Sequence, residues 1–178
     1  MPWIRAAGLV ADFVGSMTTG HNGANSCTIT GFDTQHEGHW GWRADQLLAN
    51  MSTWANTHRP EIALIHLGTN DLAQGQTVDS TISEISQIID RLRAANPTVK
   101  VFVAKVIPLN NPAYPITTFN QRIGTLATSK NTTTSPVIAV DQWTGFNAST
   151  DTYDGVHPNA TGEAKMAEKW FQAIRTSL

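Results

Sequence analysis

Apolar runs of strand length alternate with segments of helical period along most of the 178 residues. That alternation is the pattern of an α/β fold built on a parallel sheet. Ile62-Ala63-Leu64-Ile65-His66-Leu67 is nearly continuous in apolar side chains, as expected of a strand covered on both faces. Val78, Ile82, Ile85, Ile88, Ile89 and Leu92 then form one stripe at helical spacing, ending before Pro97. Val99 to Ile107 predicts the next strand, Thr117 to Thr128 a helix and Val137 to Val140 a short strand. Met166, Ala167, Trp170, Phe171 and Ile174 give a C-terminal helix its apolar face, and Leu47, Leu48, Met51 and Trp54 do the same for a helix closed by Pro60. At the start, residues 3 to 7 read as the tail of a helix stopped by Gly8, and Leu9 to Val14 as a strand ending at Gly15-Ser16. A Gly-, Thr- and Asn-rich loop follows to about Gly41. Open α/β sheets place their chemistry at the carboxyl ends of strands, which here means just after Val14, Leu67, Val106 and Val140.

The length suits one domain spanning residues 1–178. A net charge of -2 with no basic run gives no electrostatic footprint for nucleic acid or an anionic membrane, so the expected partner is neutral. No stretch approaches the ~20 apolar residues of a membrane span, and Met1-Pro2-Trp3-Ile4-Arg5 lacks the apolar core of a signal peptide. Cys27 is the only cysteine, which rules out an intrachain disulfide in the chain as given. Four N-x-S/T sequons, at Asn50, Asn131, Asn147 and Asn159, suit a secreted protein and also arise by chance in a chain rich in Thr and Asn.

Three segments carry chemistry. In Asp154-Gly155-Val156-His157-Pro158 an Asp three residues before a His can accept the Nδ1 hydrogen and leave Nε2 as a general base. The same spacing also suits a turn in which Asp154 caps backbone amides. Gly68-Thr69-Asn70-Asp71 stands where a buried strand ends, so Asn70 either aims its NH2 at a developing oxyanion or opens an Asx turn. In His36-Glu37-Gly38-His39-Trp40-Gly41-Trp42 the two histidines are one residue short of the H-E-x-x-H zinc spacing, so no metal is expected. Gly41 offers a backbone N–H that a substrate can approach closely, and Trp40 and Trp42 form either a sugar-stacking wall or core.

Gly41, Asn70 and the pair Asp154 and His157 stand in the order of the oxyanion and D-x-x-H blocks of the SGNH hydrolase superfamily, which the chain resembles along essentially its whole length. Ala6-Ala7-Gly8-Leu9, Asp12-Phe13-Val14-Gly15-Ser16, His36-Glu37-Gly38-His39 and Gly41-Trp42 look like the third carbohydrate esterase family, whose members include secreted acetylxylan esterases. The resemblance implies a flavodoxin-like three-layer α/β/α sandwich with a mostly parallel sheet. It also implies removal of O-acetyl groups from xylan or related acetylated sugars, or from small esters, through a serine nucleophile and an acetyl-enzyme, without a cofactor. Gly41 and Asn70 would be the oxyanion donors, His157 the base and Asp154 its orienter.

The family's nucleophile block, GDSxT at the end of the first strand, has no counterpart here, so the chain reads as an N-terminally truncated domain lacking that strand and most of the first helix. Activity is then open, and the alternative is a non-catalytic, carbohydrate-binding protein. A lost central strand sharing about ten backbone hydrogen bonds, at a net ~0.5–1.5 kcal/mol each, rivals the stability of a domain. Two repairs are expected: the Leu9–Val14 strand moves over to pair with Ile62–Leu67, or a second copy of the chain fills the gap in a homodimer. The first repair would carry Ser16 toward His157 as a substitute nucleophile, and the 24-residue stretch from Met17 to Trp40 is long enough to allow it.

Overall fold

The structure, a computed structural model, describes residues 7, 8, 10–20 and 31–178. The expected helix tail at residues 3 to 7 lies outside it except for Ala7, which is in a turn, and Cys27 lies outside it altogether. In chain order the helices are α1 (Ala44–His58), α2 (Thr69–Ala73), α3 (Val78–Ala95), α4 (Ile116–Lys130), α5 (Ala148–Asp151) and α6 (Ala160–Ile174). The strands are β1 (Ile62–Ile65), β2 (Lys100–Lys105) and β3 (Val137–Asp141). They form a parallel sheet in the order β1-β2-β3, with Leu64 opposite Phe102 and Phe102 opposite Ile138.

The side-chain alternation of β2 sets the layers. Val101 and Val103 face a core completed by Leu47 and Ala55 of α1, Ile85 and Ile89 of α3, and Phe119 and Ile123 of α4. Phe102 faces the other way, onto Val140 and Ile174, with Trp170 and Phe171 of α6 packed alongside. Helices therefore cover both faces, which is the α/β/α arrangement expected from the alternating pattern. No helix among the described residues is long and apolar enough to cross a membrane.

The regular elements match their sequence signals within a few residues, apart from the first strand. Of the predicted strand Leu9–Val14, Leu9 lies outside the described residues and residues 10–14 are not in a strand; the first pairing among the described residues is an isolated antiparallel bridge between Met17 and His36. The pairing of this segment with β1 is therefore absent, and β1 is an edge of the described sheet. The segment has other attachments. Ala11 and Phe13 pack against the Phe102, Val140 and Ile174 cluster, and the Phe13 amide donates to Asp33 Oδ2 at 2.6 Å. Period-2 partial burial is thus real there, but the Phe13 backbone donor goes to a loop carboxylate instead of a strand.

Two strand ends need special chemistry. Beyond β2, the buried Asn120 side chain accepts from the Val106 amide at 2.8 Å and donates to its carbonyl at 2.9 Å, replacing the lost ladder. After β1, Gly68 caps α2 with φ +116°, and a Cβ there would lie 2.3 Å from the Phe119 ring. Gly68→Ala is therefore expected to destabilise the fold by more than about 2 kcal/mol, through strain and overpacking together. Thermal melts should show a loss of at least roughly 4–8 °C.

Candidate active site

The loop between α5 and α6 is held on several sides. Thr152 and Pro158 form an antiparallel bridge, the Thr152 hydroxyl accepts from the Gly155 amide, and the Gly155 carbonyl accepts from Asn110 in the loop after β2. Asn159 closes the loop by capping the amides of Thr161 and Gly162 at the start of α6. Within this frame Asp154 Oδ1 accepts from the amides of Val156 and His157, and Oδ2 lies 2.7 Å from His157 Nδ1. The hydrogen bonds of His157, backbone first, hold the Asp154 pKa down at about 2. A carboxylate that stays ionised fixes the hydrogen on Nδ1 and directs Nε2 outward, where it meets no partner among the described residues. The two geometries the D-x-x-H spacing allows coexist: Asp154 caps backbone amides with one oxygen and holds the imidazole with the other.

Asn70 lies in the first turn of α2 instead of in an Asx turn. Its Nδ2 donates to the Trp42 carbonyl at 3.0 Å, which fixes the side chain and leaves the second amide hydrogen for another acceptor. Gly41 has φ +75° and open space where a Cβ would stand, so it serves the turn and leaves the approach clear. Its carbonyl accepts from Gln74 at 3.0 Å, whereas its N–H has no hydrogen bond among the described residues. Asp71 completes the tie between the two segments, accepting from the Ala44 amide at 2.8 Å.

Ser16 is not brought to His157. Its hydroxyl donates to Glu37 Oε1 at 2.6 Å and its amide to Oε2 at 2.9 Å, while Glu37 Oε1 also lies 2.7 Å from His39 Nε2. Burial opposes the Glu37 charge, but the hydrogen bonds from Ser16 and His39 outweigh it and hold the pKa below the usual carboxylate range. Such a carboxylate is a poor acceptor for a serine proton. The physical reason for the misplacement is the missing strand shift: Glu37 anchors the Ser16 turn to its own loop. His36 Nε2 donates to the Thr19 carbonyl and its Nδ1 accepts from the Gly38 amide, while His39 Nε2 meets Glu37, so the two rings are engaged by different partners.

The two tryptophans separate. Trp42 stacks on His39 with centroids 4.4 Å apart and packs against the core, so the core alternative holds for it. Trp40 is 64% exposed, and Tyr153, which precedes Asp154 and carries no motif in the sequence, is 77% exposed. Gln74 and Asp71 were also missed as supports; their signal was polar residues following Asn70 at a strand end. A cavity of about 630 Å³ between β3 and α6, lined by Asp141, Lys165 and Lys169, contains none of these groups.

Residues 5–165 match the GDSL-like Lipase/Acylhydrolase family. The chain belongs to that family. A carbohydrate esterase family 3 structure from Talaromyces cellulolyticus is 35% identical, with a TM-score of 0.90 over 98% of this chain and 86% of that one. A serine-to-alanine mutant of an acetyl esterase, solved with an acetate ion, is 36% identical with a TM-score of 0.87 over 99% of this chain and 90% of that one. The multidomain esterase of Ruminococcus flavefaciens is 31% identical over 170 residues, 89% of this chain, which spans about 21% of that protein. Within the GDSL-like family the chain thus falls with carbohydrate esterase family 3.

Just after β1, His66 Nε2 is buried with no partner among the described residues, and burial pulls its pKa to about 4. An unfolded His takes up a proton near pH 6.5, whereas the folded one resists until about pH 4, so this group's contribution is lost as pH falls across that window. The stability advantage of the wild type over His66→Gln should shrink by up to roughly 3 kcal/mol between pH 6.5 and 4. Denaturant titrations of both proteins across that range measure it.

Proposed function

We propose that this chain is a carbohydrate esterase domain that removes acetyl groups from xylan or related acetylated sugars, working outside the cell. The observation that carries the reading is the Asp154–His157 pair: an ionised carboxylate pinned by two amides, and an imidazole with its Nε2 turned outward. Nε2 takes the proton of an attacking oxygen, and the imidazolium that forms is stabilised by Asp154. The free amide hydrogen of Asn70 and the N–H of Gly41 are the donors for the oxyanion of the tetrahedral intermediate. Exposed Trp40 and Tyr153 offer rings on which a sugar can stack. Membership of carbohydrate esterase family 3 supports the choice of an acetylated sugar over other esters.

A second reading, carbohydrate binding without turnover, is favoured by the Ser16 hydroxyl being committed to Glu37. Turnover of p-nitrophenyl acetate and acetylated xylo-oligosaccharides separates the two. Under the esterase reading His157→Ala and Asp154→Asn each lower kcat by about 10²–10⁴. Wild-type rates no higher than those of His157→Ala favour binding alone. Ser16→Ala is expected to leave turnover within about twofold, because its oxygen faces Glu37. Intact mass after treatment with a serine-reactive phosphonate then tells whether the attacking oxygen belongs to a serine, which gains an adduct, or to water, which leaves none.

A further inference from the structure

Three carboxylates converge where α1, α2 and α3 meet: Asp45 in the first turn of α1, Asp71 in α2 and Glu84 in α3 each place an oxygen within 4.8 Å of the other two. Asp71 is fully buried, and its Oδ2 has no hydrogen-bond partner; Glu84 Oε2 is likewise buried and without a partner. Buried carboxylate oxygens are normally hydrogen-bonded, so two orphans side by side point to a ligand that satisfies both. Arg43 is the one cation acting on the group among the described residues, donating to both oxygens of Asp45. Three carboxylates against one guanidinium leave two negative charges to be matched.

We propose that this cluster binds one divalent cation of the calcium class. Ca²⁺ takes oxygen ligands at about 2.3–2.6 Å, so one ion spans carboxylate oxygens up to about 4.6–5.2 Å apart, and an all-oxygen set selects a hard ion over zinc. Burial raises the pKa of both Asp71 and Glu84, and the neighbouring carboxylates add to this, which is the repulsion a bound cation relieves. The consequence reaches the esterase site. Asp45 follows the Gly41–Arg43 turn, and Asp71 follows Asn70 while accepting from the Ala44 amide, so the ion clamps together the two segments that carry the oxyanion donors. That consequence rests on the esterase reading, whereas the ion site does not.

The test uses the whole protein freed of metal with EGTA, titrated with CaCl2 by calorimetry and followed by thermal melting; neither readout depends on turnover. One ion per chain is expected, with a rise in Tm of roughly 5–10 °C at a hundredfold excess over Kd. Glu84→Gln and Asp45→Asn, each keeping the wild-type circular dichroism spectrum, should weaken binding at least about tenfold. Absence of both heat and a Tm shift up to about 10 mM CaCl2 overturns the proposal, since even weak extracellular calcium modules bind by then. So does affinity unchanged in both variants, which places the ion elsewhere, or MgCl2 binding more tightly than CaCl2.

Discussion

The burial of β2 on both faces is the constraint on which the rest of the structure depends. Val101 and Val103 face one way and Phe102 the other, and all three are withdrawn from water. A strand in that position needs helices on both sides and a neighbour on each edge, which β1 and β3 supply in parallel. Parallel strands share one carboxyl edge. The segments that carry Asn70, Asn110 and the Asp154–His157 loop all leave the sheet there, so the placement of the chemistry follows from the direction of three strands.

At that edge the site is held by polar groups that satisfy one another. Asn70 fixes the Trp42 carbonyl, Gln74 the Gly41 carbonyl and Asp71 the Ala44 amide, so one short helix grips one turn at three points. The dyad loop has its own frame of Thr152, Asn110 and Asn159. Donors held in this way need no rearrangement when charge develops, which is the property the proposed esterase function would use. The acidic cluster behind the same turn carries the opposite property: it is unsatisfied by protein groups alone.

Much of this was legible in the sequence, unevenly. The helices Val78–Ala95 and Ala160–Ile174 were readable because their apolar residues recur at helical spacing, and the buried strands because their apolar runs end at Gly68, Pro108 and Asp141. The Asp154–His157 contact was readable because three residues of turn suffice to close it. The predicted strand Leu9–Val14 failed because alternation reports only which side chains are buried. Ala11 and Phe13 are half-buried, yet no strand among the described residues takes their backbone groups.

The sequence by itself determined the α/β class and the family, through patterns repeated in order along the chain, and the Asp154–His157 contact, which is written in a spacing shorter than one element. Tertiary structure decided that Ser16 belongs to Glu37, 21 residues away, and not to His157. It also decided that Trp42 stacks on His39, and that Asp45, Asp71 and Glu84 meet across three helices. These depend on how rigid elements pack against the sheet, and a carboxylate's partner is chosen by whichever segment the core brings within about 3 Å, which no local pattern encodes.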